Sequence, residues 1–209
     1  MNHQWAVRFG EIFQSSEFFM SDLAHRNMSD LEAGLDYIRQ SPTNYGPLRL
    51  IVRRPEILLR EVLDVAELDM VEGLVGDNWK VRGSPRTADG TSHPDMQLNI
   101  MNARAIDWIA QSRDQWPLAG DQLYIDLDLS GKNLPPGTKL ALGNAIIEVT
   151  SQPHTGCKKF VERFGLDAMK FVNSEVGRSL NLRGINARVI KPGIIRVGEL
   201  ATKISSGQE

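Results

Sequence analysis

The chain has 209 residues, with 24 lysines and arginines against 26 aspartates and glutamates and a formal net charge of −2. This balance, without a basic block, argues against general nucleic-acid binding, and no apolar run is long enough to span a membrane. The first residues lack the basic region and apolar core of a secretory signal, and one cysteine cannot form an internal disulfide, so we expect a soluble cytoplasmic protein.

The N-terminal part of the chain is predicted to be helical. Between residues 29 and 42, leucines and an isoleucine recur on one helical face, behind Ser29 and Glu32, which have the spacing of a capping box. A further helix is predicted over residues 15–28. Together these helices predict an N-terminal helical arm over residues 1–44.

From residue 45 onward the pattern changes to short apolar runs separated by Gly, Pro, Asn and Asp. This texture is typical of a β-rich domain with tight turns, either a barrel or a sandwich. Hairpin turns are predicted at Gly143-Asn144 and at Pro192-Gly193. The predicted strands are Leu48–Val52, Arg60–Val65, Gln97–Met101, Leu123–Leu127, Lys139–Leu142, Ala145–Thr150, Asn186–Ile190 and Ile194–Val197.

A helical insert interrupts this β pattern after Cys157, and Gly165 is predicted to end its first helix. We therefore expect an α+β protein that is mainly β. Its domain spans residues 45–204, and residues 205–209 form a tail.

Cys157 is the only cysteine, and it stands where a turn leads into a predicted helix. The positive end of the helix dipole and the adjacent Lys158 and Lys159 favour the thiolate form. A thiolate is a soft metal ligand and also a nucleophile able to carry a persulfide. The alternative is a small buried side chain with no chemical role.

A row of hydrogen-bonding side chains precedes this region. If the chain is extended from Asp95 to Met101, then His93, Asp95, Gln97 and Asn99 share one face. Such a row suits a pocket wall that holds a polar ligand, and the alternative is a strand face open to water. No second His or Cys stands at ligand spacing, so a zinc site is not predicted.

Basic residues that could bind phosphate occur in a long polar loop over residues 76–94 and near the C-terminus. The loop could equally be a disordered surface segment. The side chains of interest are Arg82, Arg86, Arg183, Asn186 and Arg188.

Four segments carry a resemblance to a known family. They are "EGLVGDNW", "LAGDQLYIDLDLSGKNLPPGTKLALGNAIIEVT", "SQPHTGCKKF" and "LRGINARVIKPGIIRVGEL", in this order. Together they resemble the MOSC domain, the C-terminal domain of molybdenum-cofactor sulfurases that also occurs in stand-alone bacterial proteins. The match spans residues Leu48 to Ile204.

The resemblance implies a closed β-barrel related to the β-barrel domain of pyruvate kinase. It places Cys157 on the family's cysteine, which is associated with holding the molybdenum of the pterin cofactor or with carrying sulfur. His154 and Gly156 stand where the family has arginine and proline. Larger members have an additional N-terminal β-barrel that helps to bind the pterin, and this chain has no room for one.

Three functions stay open. In the first, a molybdenum-pterin oxidoreductase with a small-molecule substrate and a redox partner, Cys157 ligates the metal and His154 or Lys159 supplies a proton. In the second, Cys157 receives a persulfide from a cysteine desulfurase. In the third, the domain only binds and the cysteine is inert. The residues predicted to bind the cofactor are Arg82, Arg86, His93, Gln97, Asn99, Lys158, Arg183, Asn186 and Arg188.

Two further expectations accompany these functions. The sulfurase family is also linked with pyridoxal phosphate, for which Lys158 and Lys159 are the lysines of interest. Whether the N-terminal helices form a homodimer stays open.

Overall fold

The computed structural model describes residues 12–14 and 24–204. The helices are α1 (Met28–Ala33), α2 (Leu35–Arg39), α3 (Trp79–Arg82), α4 (Ala103–Ala110), α5 (Lys158–Asn173) and α6 (Glu175–Ser179), with 3-10 turns at Pro94–Met96 and Arg113–Ala119. The strands are β1 (Ile12–Gln14), β2 (Tyr45–Arg53), β3 (Leu59–Leu63), β4 (Val65–Asp69), β5 (Gly73–Leu74), β6 (Leu98–Asn102), β7 (Leu123–Ile125), β8 (Lys139–Leu142), β9 (Ala145–Val149), β10 (Ile185–Lys191), β11 (Gly193–Arg196) and β12 (Leu200–Lys203).

Seven of these strands close into a barrel in the order β2-β12-β8-β9-β10-β6-β7, because β7 pairs back onto β2. The β6–β7 pair is parallel and the others around the barrel are antiparallel. Strands β3 and β1 extend the sheet from β2, and β11, β4 and β5 form a separate small sheet. The predicted α+β fold with a closed β-barrel is confirmed.

The barrel wall separates two hydrophobic cores. On β6, Leu98 and Ile100 pack into the aliphatic interior of the barrel, whereas Met101 packs with the residues that lie under the helices. This follows from the alternation of side chains along a strand. The outward side chain of Asn99 therefore lies in the layer between barrel and helices, which is where the polar groups of the site collect.

Aromatic residues on α5 hold this helix against the barrel. Phe160, Phe164 and Phe171 are buried, and the rings of Phe160 and Phe164 lie 4.9 Å apart between centroids. Full burial of one such side chain contributes about 1.5 to 3 kcal/mol. The helix is therefore fixed near its first residue, Lys158.

The N-terminal helix differs from the prediction in two ways. It is divided into α1 and α2 at Gly34, where a Cβ atom would lie 2.3 Å from Nε1 of Trp108. Its N-cap is Asn27, whose Oδ1 accepts from the backbone N–H of Asp30 at 3.0 Å, and the predicted capping box at Ser29 is wrong. Of the further helix predicted over 15–28, residues 15–23 lie outside the described residues and 24–27 are not helical.

The predicted turns have different outcomes. The hairpin at Gly143-Asn144 is confirmed, since β8 and β9 pair across it. The hairpin at Pro192-Gly193 is wrong, because β11 leaves the barrel and pairs with β4. The single strand predicted over Arg60–Val65 is likewise two strands, one in each sheet. Gly165 interrupts α5 with a φ of 88°, as predicted for a terminator.

No helix within the described part of the chain is long and apolar enough to cross a bilayer.

Candidate functional site

Cys157 lies exposed at the start of α5, where it is the N-cap residue. Its carbonyl oxygen accepts from the backbone N–H groups of Phe160 and Val161 at 2.9 and 3.1 Å. The preceding Gly156 is held by Asn173, which accepts from its N–H at 2.9 Å and donates to its carbonyl at 3.1 Å. The predicted turn-to-helix position is confirmed. Because the thiol is exposed, the alternative of a buried cysteine is wrong.

Lys158 and Lys159 follow the cysteine and are both exposed. They contribute positive charge at the rim of the site rather than inside it.

Beneath this loop lies an arginine cluster that draws on six segments of the chain. Its members are Arg54, Arg60, Arg82, Arg86, Arg163 and Arg183, and they interact electrostatically with one another, with His154 or with Cys157. Two buried carboxylates, Asp77 and Asp121, lie among them. The guanidinium groups therefore outnumber the carboxylates, and the cluster is cationic.

Two members of the cluster form buried ion pairs. Nε and a terminal nitrogen of Arg54 each donate to the carboxylate of Asp77 at 2.9 Å. Arg183 donates to Asp121 at 2.7 Å, and its guanidinium lies 5.0 Å from the ring centroid of Phe160. These pairs build the floor of the site.

Three consecutive carbonyl oxygens orient three of the arginines. Leu118 accepts from Arg163 at 2.5 Å, Ala119 accepts from Arg183 at 2.9 Å, and Gly120 accepts from Arg54 at 2.8 Å. The segment 118–120 therefore makes the guanidinium groups converge on one place.

His154 lies beside Asp121, with 3.5 Å between Nδ1 and Oδ1, and 13% of its side chain is exposed. Among the described residues neither atom has a hydrogen-bond partner, and the same is true of the buried Nε atoms of Arg60 and Arg183. Burial first, and then the charges of Arg183, Arg54 and Arg86, hold the pKa of His154 well below 6.5. His154 is therefore neutral at pH 7.

The polar side chains on β6 and β10, and that of Gln97 just before β6, form hydrogen bonds with other groups of the protein. Asn99 donates to Asn186 at 2.7 Å and accepts from Arg54 at 3.0 Å. Gln97 accepts from the N–H of Val189 at 2.8 Å and donates to the carbonyl of Met70 at 2.8 Å. These three side-chain amides lie close to the site, and their hydrogen bonds stabilise its wall.

The predicted common face of His93, Asp95, Gln97 and Asn99 is wrong. Pro94–Met96 form a 3-10 turn, with His93 as N-cap accepting from the N–H of Asp95 at 3.2 Å, so the strand begins only at Leu98. Proline at the first position favours such a turn over a strand.

The basic residues predicted to bind phosphate are divided by the fold. Arg82, Arg86 and Arg183 lie in the arginine cluster. Arg188 lies on the exposed side of β10, paired with Asp95 at 3.3 Å and with Glu148 at 2.6 Å. Its charge is therefore already neutralised.

Sequence reasoning missed Arg54, Arg60, Asp77, Asp121 and Arg163. A signal was present for the two acids, since each follows a glycine within the segments "EGLVGDNW" and "LAGDQL". For the arginines only the fold brings partners together, because Arg54 and Gly120 are separated by 66 residues.

A cleft of about 220 Å³ opens beside His154. Its lining includes residues 149–154, Asn181 and Gly184, and does not include Cys157. His154 therefore lies between this cleft and the arginine cluster, and a bound molecule could reach the imidazole from the cleft.

The imidazole of His154 should make stability depend on pH. The unfolded chain takes up a proton below about pH 6.5 while folded His154 stays neutral, so stability is complete above that pH and is lost as pH falls. We expect urea unfolding to show a loss of about 1 to 2 kcal/mol between pH 7 and pH 5 that His154→Asn removes.

Comparing the wild type with His154→Asn isolates the contribution of the histidine to the pH dependence of stability. Burial raises the pKa of Asp121 above 3.8. At lower pH, protonation of Asp121 therefore makes the free energy of unfolding rise as pH falls, which is opposite to the effect of His154. If the wild-type and His154→Asn profiles run parallel from pH 7 to pH 5, the imidazole does not have this effect.

A family model of the MOSC domain matches residues 78–202, which is more than half of the chain. Among solved structures, the YuaD protein from Bacillus subtilis has 16% identity and a TM-score of 0.53, covering 76% of this chain and 96% of that chain. A hypothetical protein has 22% identity and a TM-score of 0.51, covering 81% and 71%. YiiM from Escherichia coli has 22% identity and a TM-score of 0.49, covering 79% and 72%.

At these identities, the likeness to YuaD and to the hypothetical protein supports the barrel fold alone. No curated protein matches the sequence significantly. Because the family model covers more than half of the chain and most of the barrel, the chain belongs to the MOSC domain family.

Proposed function

We propose that this protein binds the molybdenum-pterin cofactor and acts as an oxidoreductase-type enzyme or enzyme component, with Cys157 as the protein ligand to the metal. One observation carries this proposal: the exposed thiol of Cys157 stands at a helix start beside a cationic cluster. A thiolate is the soft ligand that such a metal accepts, and guanidinium groups are suited to the phosphate of the pterin.

The donor set fits a metal that brings most of its ligands with it. Within the described residues, no group of three or more His, Cys, Asp or Glu side chains is arranged to hold a metal ion. The protein would therefore supply a single sulfur ligand, and the cofactor would supply the others. Among the described residues, Nε of Arg183 has no hydrogen-bond partner and leaves a donor for an anionic, oxygen-rich molecule.

When bound, the cofactor would supply a metal that exchanges electrons with the substrate. Arg82 and Arg86 are best suited to hold its phosphate, because no described carboxylate pairs with either side chain. Arg183 is less suited to this role, since its terminal nitrogens already donate to Asp121 and Ala119. Neutral His154 can hold a proton on one ring nitrogen, and exposed Lys159 could deliver one.

Pyridoxal phosphate gains no comparable support. Lys158 and Lys159 are exposed, and neither lines the cleft beside His154. A Schiff-base lysine is normally desolvated in a pocket.

The proposal predicts that protein from a molybdate-fed host competent in cofactor synthesis carries close to one molybdenum atom per chain. Cys157→Ala should lose most of this metal, because the single protein ligand is removed. Elemental analysis of both purified proteins measures the difference. Thr155→Ala is the matched control, since Thr155 is exposed in the same loop and should keep the metal.

A metal-free wild-type protein from a host that loads other molybdenum enzymes would contradict the proposal. It would favour the second function, a sulfur carrier, which the exposure of Cys157 also supports. In that case, incubation with a cysteine desulfurase should raise the intact mass by about 32 Da, and the increment should be absent in Cys157→Ala.

A further inference from the structure

Arg60 and Arg163 lie side by side over Gly120. A Cβ atom placed on Gly120 would lie 3.7 Å from a terminal nitrogen of each guanidinium group. The two nitrogens are therefore no more than twice that distance apart. Gly120 is partly exposed and has a φ of 86°, so the space above it is open to solvent and a side chain there would be strained.

These two arginines differ from their neighbours in charge compensation. Arg54 and Arg183 pair with Asp77 and Asp121, whereas no carboxylate in the described part of the chain pairs with Arg60 or Arg163. Their hydrogen bonds go to the carbonyl oxygens of Leu59 and Leu118. Two adjacent cations without a counterion are unfavourable, and an anion between them would relieve the repulsion.

The buried Nε of Arg60 gives a second indication that an anion suits this place. Among the described residues, this atom has no hydrogen-bond partner. Burial first, and then the charges of Arg163 and Arg54, lower the pKa of Arg60 from 12.5 to about 10, because the opposing effects of Tyr124 and Asp77 do not offset them.

Arg163 also lies near Cys157. Arg163 lies on α5, which begins immediately after Cys157, and the negative charge of the Cys157 thiolate raises the pKa of Arg163 against the effect of burial. An anion held by Arg163 would therefore lie near the thiol. Guanidinium groups bind carboxylates and other oxyanions through two parallel hydrogen bonds, which suits a planar anion of small size.

We propose that Arg60, Arg163 and the open space over Gly120 form a binding site for a small carboxylate or oxyanion beside Cys157. This site is separate from Arg82 and Arg86, the side chains assigned to the cofactor phosphate. Under the proposed function the bound anion is the substrate, and that part of the inference rests on the proposed function. The binding itself does not.

The single cysteine allows a direct test on the metal-free protein. Iodoacetate and iodoacetamide alkylate the same thiolate, but only iodoacetate carries a carboxylate. Their rate ratio does not depend on how much of the thiol is ionised, because both reagents react with the thiolate. Relative to free cysteine, we expect the ratio of iodoacetate to iodoacetamide rates at Cys157 to be raised about tenfold.

Arg163→Gln and Arg60→Gln should each bring this ratio close to that of free cysteine, whereas Arg163→Lys should keep part of it because the charge remains. Lys170→Gln is the matched control, because it removes the same charge from an exposed position on the same helix. Circular dichroism confirms that each variant is folded. Sodium phosphate at constant ionic strength should slow iodoacetate in the wild type and not in Arg163→Gln.

A wild-type ratio equal to that of free cysteine would overturn the proposal, and so would a ratio that both glutamine variants leave unchanged. Because no metal takes part, the alkylation experiment can fail while molybdenum loading succeeds, and the reverse also holds. The failure of this inference is therefore distinguishable from the failure of the proposed function.

Discussion

Asp77→Ala should lower the free energy of unfolding by about 3 to 5 kcal/mol, the range for removing one partner of a buried ion pair. The carboxylate of Asp77 is inaccessible to solvent and accepts from Nε and a terminal nitrogen of Arg54 at 2.9 Å each. It also accepts from the backbone N–H groups of Arg54 and Trp79 at 2.9 Å. The substitution leaves the buried guanidinium of Arg54 without a counterion. Urea unfolding followed by tryptophan fluorescence measures the loss.

Asp36→Ala is the matched control, since it breaks another Arg–Asp pair at a carboxylate whose side chain is 91% exposed. That loss should stay below about 0.5 kcal/mol. Adding Arg54→Met to Asp77→Ala should recover part of the stability, because the unpaired charge is removed together with its partner. A loss below about 1 kcal/mol for Asp77→Ala would show that Arg54 reaches water or another anion.

The same ion pair shows what the sequence could predict and what it could not. Alternating or continuous apolar residues predict strands β2 and β6, and the turn residues predict the hairpin at Gly143-Asn144. These signals are local. The partners of Arg54 are distant in the sequence. Asp77 and Asn99 lie 23 and 45 residues away and contact Arg54 only when the barrel closes.

The errors also have local causes. The face predicted from His93 to Asn99 assumed an extended chain, but proline at the first position of the 3-10 turn makes a tighter conformation possible. The hairpin at Pro192-Gly193 had suitable turn residues, yet the small sheet offers β11 a different partner in β4. In both cases the sequence pattern was compatible with two structures, and tertiary contacts selected one.

At the site itself, residue types were more predictable than roles. Cys157 could be singled out because it is the only cysteine and precedes a helix, and its exposure agrees with a chemical role. Asn99 and Asn186 have the polarity expected of a pocket wall, but Asn99 donates to Asn186, and Asn186 donates to the carbonyl oxygen of Gln152. Whether a polar side chain is free to bind a ligand depends on partners that the sequence does not name.

Gly184→Ala should be nearly as costly as the loss of Asp77, for a reason that no sequence pattern reveals. Gly184 has a φ of 114°, and a Cβ atom there would lie 2.3 Å from the carbonyl oxygen of Ile100 and 3.1 Å from Nδ1 of His154. The strained backbone costs about 1 to 3 kcal/mol, and the collision with β6 adds a similar amount. We expect a total loss of at least about 3 kcal/mol in urea unfolding.

Gly198→Ala separates these two contributions. Gly198 has a similar positive φ of 92°, but a Cβ atom there meets no atom of the described residues within 4 Å. The substitution should therefore cost only the backbone strain of about 1 to 3 kcal/mol. The difference between the two variants then measures how tightly β10 approaches β6 next to His154. Equal losses would mean that β6 moves aside easily. In that case the wall that positions Arg183 and His154 would be more pliable than the close approach at Gly184 implies.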